Sequence, residues 1–439
     1  MRGRPVPVMT APPRALLRAL FEAAVEAVGA VRALPPALPD DAPAGRTLIL
    51  AIGKAAAAMA AVAAARVRGP LSGLVITRHG HAGPPDDLPP GFELIEAGHP
   101  VPDAASLAAG RRALDLVGAL GADDRLLALV SGGGSALFAA PVPGVSLADK
   151  QAVTRALLGS GATIAEINGV RKHLSRVKGG RLAVAAAPAQ VVTLVLSDVP
   201  GDDPSFVASG PTVADRTTLA AARAILARYR IVPPAGVAAA LADPANETPP
   251  PDAPGLAGGV VRVIARARDA LDAARALAEG QGCRVTDLGD RLEGEARALG
   301  AAHAALARQL AAEGARHLIL SGGETTVRVV NPAGRGGRNL EYLLGLALAL
   351  EGAPGIHAIA CDTDGIDGTG DNAGAIVTPD TLARARALGL DPAALLAANR
   401  AWDLFDALGD LVVTGPTRTN VNDFRAILID AAGANETAG

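Results

Sequence analysis

The sequence has few cysteines and no long apolar run. Its two cysteines, Cys283 and Cys361, are too few for a disulfide framework or a cysteine-based zinc site, which favours a reducing cytoplasm. No apolar run approaches the roughly 20 residues that a membrane helix needs. The net charge of −3 lacks the basic surplus typical of nucleic-acid or membrane-surface binding. We therefore expect a cytoplasmic protein with neither kind of partner, and the sequence indicates no oligomeric state.

Aromatic residues are also scarce, at 2% of the chain, whereas half of its residues are hydrophobic. A core built largely of alanine and aliphatic side chains is typical of helices packed on sheets. Apolar strands alternate with helical segments along the chain, which predicts an α/β protein with a parallel sheet covered on both faces. At 439 residues the chain can form two domains. We place them at residues 10–242 and 258–439, joined by a proline- and glycine-rich linker at 243–257.

Four aspartates interleaved with glycines follow the apolar run Ile356–Ala360. They are Asp362, Asp364, Asp367 and Asp371. Carboxylates at this density need either water or a cation, because they repel one another. One interpretation is a solvated turn, and the other is a Mg²⁺ site of oxygen ligands beside a phosphate. The stretch does not match the calcium-binding helix–loop–helix pattern, which ends in a glutamate.

Two glycine-rich loops, 131–135 and 321–326, each follow a predicted strand and begin Ser-Gly-Gly. Glycines let backbone N–H groups converge on an anion, although a tight strand-to-helix turn explains each loop equally well. Neither loop has the spacing of a P-loop or of the dinucleotide-binding fingerprint. Ser131 and Ser135 also lack the Gly-x-Ser-x-Gly elbow of a serine hydrolase.

Basic residues stand where two predicted helices start. Lys54, one of only four lysines, precedes an alanine-rich helix, and Arg335 and Arg338 precede a leucine-rich one. The positive end of a helix disfavours a cation, so a bound anion would explain them, and a side chain pointing into solvent is the alternative. The anion interpretation predicts that removing Lys54 or Arg338 leaves stability unchanged or slightly raised. Asp198 ends another apolar strand, where it could join the aspartates or simply form a turn.

Together these motifs resemble the class II glycerate 2-kinases, whose C-terminal half is known as the MOFRL domain. The resemblance runs from the first helix to about Phe424, and it is carried by the following motifs: Gly-Lys54-Ala, Ala-Gly-His99-Pro-Val-Pro-Asp103, Ser-Gly-Gly-Gly-Ser-Ala136, Val-Arg-Lys-His-Leu-Ser-x-x-Lys178-Gly-Gly-Arg-Leu, Leu-Ser-Asp198-Val, Gly-Gly-Arg338-Asn-x-Glu341, Asp-Thr-Asp364-Gly-Ile-Asp367-Gly and Thr-Gly-Pro-Thr-x-Thr-Asn-Val-Asn-Asp423.

The resemblance implies ATP-dependent phosphorylation of D-glycerate at its 2-hydroxyl, giving 2-phosphoglycerate and ADP. It implies a Rossmann-like N-terminal domain and a smaller α/β C-terminal domain, with the active site in the cleft between them. Lys54 and Arg338 would be catalytic, and Asp198 and Asp364 would lie near Mg²⁺. The expected phosphate-, nucleotide- or substrate-binding residues are Ser131, Gly132, Gly133, Gly134, Ser135, Lys178, Ser321, Gly322, Gly323, Glu324 and Thr325.

Two other functions compete with this one. Members of the family are also labelled hydroxypyruvate reductases, but an NAD(P)H-dependent reductase needs a nicotinamide-binding fingerprint that the sequence lacks. A non-catalytic module that binds a sugar phosphate is the second alternative. The dense aspartates argue against it, because acids beside a phosphate repel the ligand unless a metal lies between them.

Overall fold

The structure, a computed structural model, describes residues 11–84, 87–368 and 370–430. The predicted domain bounds at residues 10 and 439 lie outside these ranges. The chain divides into two compact units, which we name by their sheets. The parallel-sheet unit comprises residues 29–265 and 418–420, and the mixed-sheet unit comprises the described residues of 1–28, 266–417 and 421–439.

The parallel-sheet unit is built on six strands in the order β3-β2-β1-β4-β5-β6, each parallel to its neighbours. This is the strand order of the doubly wound dinucleotide-binding fold, so the predicted Rossmann-like architecture is confirmed. The central strands are fully buried because apolar side chains fill both of their faces. The strands are β1 Thr47–Ile52, β2 Leu71–Arg78, β3 Phe92–Ala97, β4 Arg125–Val130, β5 Gln190–Leu196 and β6 Val260–Ala265.

The helices of this unit cover the sheet and form a second, smaller core around Val153, Val170 and Leu226. Three of them, α4, α6 and α7, begin with reciprocal capping boxes, which explains their sharp starts. The helices are α2 Ala30–Ala33, α3 Ala56–Ala64, α4 Ala104–Gly118, α5 Gly134–Leu137, α6 Leu147–Gly159, α7 Ile164–His173, α8 Arg181–Ala186, α9 Leu219–Arg228 and α10 Ala235–Ala242, with 3₁₀ turns at Pro35–Ala37, Val207–Ser209 and Pro244–Asn246.

The mixed-sheet unit has six strands in the order β11-β10-β9-β12-β8-β7. Only β7 and β8 pair in parallel, and the other neighbours are antiparallel. A parallel sheet was predicted from the apolar runs, and that prediction is wrong here because β9 returns into β10 through a loop too short for a parallel crossover. The strands are β7 Arg284–Asp287, β8 His317–Ser321, β9 Ile356–Asp362, β10 Gly374–Val377, β11 Leu411–Val412 and β12 Asp423–Ile429.

The core of the mixed-sheet unit lies between its sheet and the leucine-rich helix α13, which is buried along most of its length. The helices are α1 Pro13–Ala27, α11 Ala267–Gly280, α12 Ala296–Ala311, α13 Arg338–Leu350, α14 Thr381–Ala387, α15 Pro392–Ala397 and α16 Ala401–Ala407. Among the described residues, no helix combines the length and apolarity needed to cross a bilayer.

Two elements pack in a different compact unit from the one that the predicted domain bounds would give them. Helix α1, placed in the N-terminal domain by the sequence, packs in the mixed-sheet unit, where Phe21 contacts Phe424 with 5.9 Å between ring centroids. Strand β6, placed in the C-terminal domain, extends the parallel sheet beside β5. Position along the chain suggested the bounds, whereas burial of the apolar faces of these two elements decides where each belongs.

Candidate functional site

The strand order of the parallel sheet reverses between β1 and β4, and the loops that follow these two strands touch. Gly53 has a φ of 121°, and a Cβ on it would overlap with Ser131. The backbone N–H of Lys54 donates to the carbonyl of Gly132 at 2.9 Å, and the N–H of Ala55 donates to Ser131 Oγ at 3.1 Å. In doubly wound folds, ligands bind at this reversal point, so the geometry marks a candidate site.

Lys54 lies directly against the glycine-rich loop after β4. A Cβ on Gly133, whose φ is 82°, would lie 3.3 Å from Lys54 Cγ and 3.5 Å from the ring of His99. The lysine is half-buried. The structure therefore places the predicted catalytic lysine next to the predicted anion-binding glycines.

Asp198, after β5, approaches the same loop from the other side. A Cβ on Gly132 would overlap with the carboxylate of Asp198, and Asn420 Nδ2 donates to Asp198 Oδ2 at 3.0 Å. All three residues belong to the parallel-sheet unit. Glycine at position 132 is thus what allows a carboxylate to sit against the loop backbone.

The glycine-rich loop presents backbone donors. In the described part of the chain, no group accepts a hydrogen bond from the N–H of Gly132, Gly133 or Gly134. Consecutive N–H groups of this kind form an anion-binding concavity. Together with Lys54 they supply the positive potential that a phosphate would need.

The remaining predicted residues of this unit have mixed surroundings. The Ser131 hydroxyl is buried and receives the Ala55 N–H, whereas Ser135 Oγ lies 2.7 Å from Ser209 Oγ. Lys178 is fully buried behind the loop, 3.4 Å from the carbonyl of Ala208. Burial, reinforced by the charges of Lys150 and Arg171, lowers the pKa of Lys178 well below its usual range.

In the mixed-sheet unit, Arg338 is held by three carboxylates. Its Nε donates to Asp423 Oδ1 at 2.8 Å, its Nη1 to Glu324 Oε1 at 2.6 Å and its Nη2 to Asp362 Oδ2 at 2.8 Å. Burial opposes its charge, but the three carboxylates outweigh burial and raise the pKa of Arg338 well above its ordinary value. Acids of the chain itself therefore explain why Arg338 can stand at a helix start, so its position alone is no evidence for a bound anion.

The four aspartates that dominate the sequence have four different environments. Asp362 ends β9 and binds Arg338, and Asp371 is exposed. Asp367 accepts hydrogen bonds from the backbone N–H groups of Asn339 and Leu340, at 3.1 and 3.0 Å, and so caps α13. Burial raises the pKa of Asp367 to about 6, against the effect of these bonds. Asp364 is 2% exposed and accepts the N–H of Ile366 at 2.8 Å.

The second Ser-Gly-Gly loop is tied into its own unit. The N–H of Gly322 donates to Gly289 at 2.8 Å, and a Cβ on Gly323 would overlap with Leu292. Thr325 Oγ1 accepts from Arg425 at 3.3 Å, and Glu324 binds Arg338. Here the glycines allow close packing of backbone against backbone.

Among the described residues, no group of three or more His, Cys, Asp or Glu side chains is arranged to hold a metal ion. Mg²⁺ is often held by only one or two carboxylates together with substrate phosphates and water, so the donor set still fits it. Asp423, which binds Arg338, Asn339 and Arg425, and the loop neighbours His99 and Asn420 were not among the predicted site residues. All three lie inside the motifs that carry the family resemblance, and that position could have identified them as candidate site residues.

Comparisons with known proteins agree with these motifs. The chain matches a domain of unknown function, DUF4147, over residues 16–242 and the MOFRL family over residues 317–423. It is 42% identical over 414 residues to D-glycerate 2-kinase of Thermotoga maritima, covering 92% of this chain and 95% of that protein. The chain belongs to the MOFRL-type glycerate kinase family.

Two further similarities complete the comparison. A crystal structure of glycerate kinase from Thermotoga maritima matches the fold with a TM-score of 0.82 and 40% identity, over 95% of this chain and 99% of that one. An Agrobacterium vitis protein with the provisional name hydroxypyruvate reductase is 53% identical over 422 residues, covering 95% of this chain and 94% of that protein. Within the family, the kinase name is therefore attached to a protein of matching fold, and the chain is an enzyme of that kinase family.

Proposed function

We propose that the protein transfers the γ-phosphoryl group of ATP to the 2-hydroxyl of D-glycerate, giving 2-phosphoglycerate and ADP. The observation that carries the proposal is the meeting of Lys54, the N–H groups of Gly132–Gly134 and Asp198 where the strand order of the parallel sheet reverses. The family names of the relatives support the same substrate class.

The chemistry needs charge stabilisation more than covalent participation. The hydroxyl oxygen of glycerate bonds to the γ-phosphorus, the bond from that phosphorus to the β–γ bridging oxygen breaks, and the hydroxyl proton is released. Negative charge grows on the γ-oxygens and on the departing β-phosphate. We assign Lys54 and the amides of the glycine-rich loop to hold these oxygens, because preorganised donors stabilise charge most strongly away from bulk water.

We assign Arg338 as the second catalytic residue beside Lys54. Its guanidinium group is held in a fixed direction by Glu324, Asp362 and Asp423. The carboxylates around Arg338 outnumber its charge, so this region favours a cation over a bare phosphate. Mg²⁺ would neutralise phosphate charge. We propose Asp198 as a ligand for it in the parallel-sheet unit and, separately, Asp364 as a cation-binding carboxylate in the mixed-sheet unit. Asp364→Asn should then lose most turnover while thermal unfolding is unchanged, and full activity in excess EDTA would contradict a metal role.

The test of the proposal is an assay of purified protein with D-glycerate, ATP and MgCl₂, in which enolase converts the product directly. Enolase acts on 2-phosphoglycerate, so a signal without added mutase identifies the phosphorylated hydroxyl. A signal that appears only after mutase is added would place the phosphate on the 3-hydroxyl instead.

Hydroxypyruvate reduction is the competing function, favoured by the name of the 53% identical relative and by the Rossmann-like strand order. The loop after β1 reads Gly53-Lys54-Ala55 and lacks the glycine fingerprint that a dinucleotide pyrophosphate requires. Oxidation of NAD(P)H by hydroxypyruvate without ATP, in protein that shows no kinase activity, would establish the reductase and refute the kinase.

A further inference from the structure

Three of the four lysines of the chain lie buried within one short stretch of the parallel-sheet unit. Lys150 is 3% exposed, Lys172 is 2% exposed and Lys178 is fully buried. Moving an ammonium group out of water costs several kcal/mol unless a counter-charge is present. Buried lysines therefore need an explanation in terms of their partners.

Among the residues that the structure describes, only one of these lysines has an acidic partner. Lys172 Nζ lies 3.0 Å from Asp215 Oδ1, and both side chains are buried. Lys150 Nζ has no hydrogen-bond partner in the described part of the chain. Lys178 Nζ lies 3.4 Å from the carbonyl oxygen of Ala208 and 5.9 Å from the ring centroid of Phe138.

The two unbalanced amines share their surroundings with Arg171, for which the described residues provide no carboxylate. Burial, together with the charge of Arg171, lowers the pKa of Lys150 to about 7. Burial and the charges of Lys150 and Arg171 lower the pKa of Lys178 well below its usual range. Three basic groups thus repel one another at a place where the described part of the chain supplies no acid.

This basic cluster lies behind the glycine-rich loop. The carbonyl partner of Lys178 belongs to Ala208, and a Cβ on Gly134 would lie 2.7 Å from the Ala208 side chain. Ser135, the next residue of the loop, is hydrogen-bonded to Ser209 at 2.7 Å. The basic cluster and the proposed phosphate-binding loop are therefore neighbours within one unit.

We propose that Lys150, Lys178 and Arg171 bind the carboxylate of the hydroxy-acid substrate and so select an acid over a neutral polyol. The inference rests on the proposed function, because it assigns a subsite for that substrate. A carboxylate is small enough to contact amines that are almost fully buried, whereas a nucleoside triphosphate is too bulky. A single carboxylate would also supply the negative charge that the cluster needs. Lys172 does not need it, because it is already paired with Asp215.

Binding of an anion should draw a proton onto Lys150. The other charges that act on this amine are those of Arg171 and Lys178, and α10, which also packs on α6, carries no titratable side chain. The remaining titratable side chains of α7 are paired elsewhere, as Glu166 with Arg228, Lys172 with Asp215 and His173 with Glu247. At pH 8 the free amine is mostly neutral, so glycerate binding should take up protons and its KM should rise above pH 7.

The experiment compares wild type with Lys150→Met and with Arg155→Met, which removes an exposed cation from the same helix. We expect the KM for D-glycerate to rise about 10- to 100-fold in Lys150→Met, the usual effect of losing one charged hydrogen bond. The KM for ATP should stay within about twofold, and Arg155→Met should behave like wild type. Glycerol, which lacks the carboxylate, should be a very poor substrate for wild type.

Calorimetry of glycerate binding to wild type without ATP, in two buffers of different ionisation enthalpy at pH 8, tests the same subsite if Lys150→Met fails to fold. Proton uptake supports the inference, and its absence overturns it.

A KM increase for ATP instead of glycerate would assign the cluster to the nucleotide phosphates, and unchanged KM values would leave it a purely structural role. Either result refutes the carboxylate site. Glycerate binding with proton uptake but no phosphorylation would refute the proposed function alone, and no glycerate binding would refute both.

Discussion

The two Ser-Gly-Gly loops look alike in sequence, and each has a cation at a helix start nearby, but their surroundings differ. In the parallel-sheet unit, the loop at 131–135 leaves its glycine N–H groups without acceptors in the described chain and lies against Lys54. In the mixed-sheet unit, the loop at 321–326 is tied to neighbouring backbone, and Arg338 is surrounded by carboxylates. The difference teaches that a glycine-rich loop binds a ligand only where the fold leaves its donors unused.

The largest expected effect concerns Arg338, because Arg338→Ala leaves three carboxylates facing one another. We expect the free energy of unfolding to fall by about 3–5 kcal/mol, the usual result of removing one partner of a buried ion pair. Chemical denaturation measures it. Adding Glu324→Gln should recover part of the loss, since Glu324 is the exposed member of the three.

Arg335 provides the matched control for Arg338. It stands three residues earlier and stacks on Trp402 with its guanidinium carbon 3.4 Å from the ring centroid, yet its side chain is exposed. Arg335→Ala should cost only about 0.5–1 kcal/mol. Equal losses for the two arginines would show that the carboxylates around Arg338 do not stabilise the fold.

Lys54→Ala tests the other half of the comparison. Turnover should fall by about 10²- to 10³-fold, as when one preorganised electrostatic donor is removed from an active site. The free energy of unfolding should change much less than in Arg338→Ala, because removing Arg338 leaves three carboxylates facing one another. Arg66→Ala, at an exposed position just beyond the end of the same helix, is the control, and phosphorylation that is indifferent to Lys54 would refute its catalytic role.

Exchanging one glycine in each loop for alanine should separate binding from packing. Gly323→Ala should lower the free energy of unfolding by about 1–3 kcal/mol, because φ is 101° and the new methyl group meets the backbone of Leu292. Gly132→Ala meets the side chains of Asp198 and Asn420, which can move. It should therefore lower activity more than stability. Denaturation midpoints and kcat should be measured on both variants. A larger stability loss in Gly132→Ala, together with a larger activity loss in Gly323→Ala, would contradict the assignment of binding to the first loop and packing to the second.

Asp367 should make the stability of the protein depend on pH. Its folded pKa of about 6 lies above the ordinary value of 3.8, so the folded state holds more protons between these values than the unfolded state. The contribution of Asp367 to stability is therefore largest at low pH and decreases as pH rises from about 4 to about 6. The free energy of unfolding of wild type, minus that of Asp367→Asn, should therefore fall across this pH range by a total on the order of 3 kcal/mol. A flat difference would mean that the helix cap keeps the carboxylate charged.

Local features of the fold were predictable, and long-range ones were not. The largely apolar stretch Gln190–Leu196, for example, forms strand β5 over its whole length. Strand direction in the mixed-sheet unit could not be predicted, because an apolar run does not show which strand it pairs with or whether the pairing is parallel. The partner of Arg338 at Asp423 lies 85 residues away, so the compensation of the arginine charge was equally invisible. The aspartate-rich stretch predicted acidic chemistry, but it did not reveal that Asp367 serves as a helix cap.

The placement of α1 has a consequence for the order in which the protein can fold during synthesis. Phe21 on α1 packs against Phe424 on β12, which the ribosome produces roughly 400 residues later. At about 5–20 residues per second, that delay is on the order of 20–80 s. Leu17 and Leu20, fully buried in the finished unit, must wait for this partner with their apolar face incompletely covered. Helix α1 thus leaves the ribosome long before its packing partner, and during this interval it is a natural binding site for a chaperone.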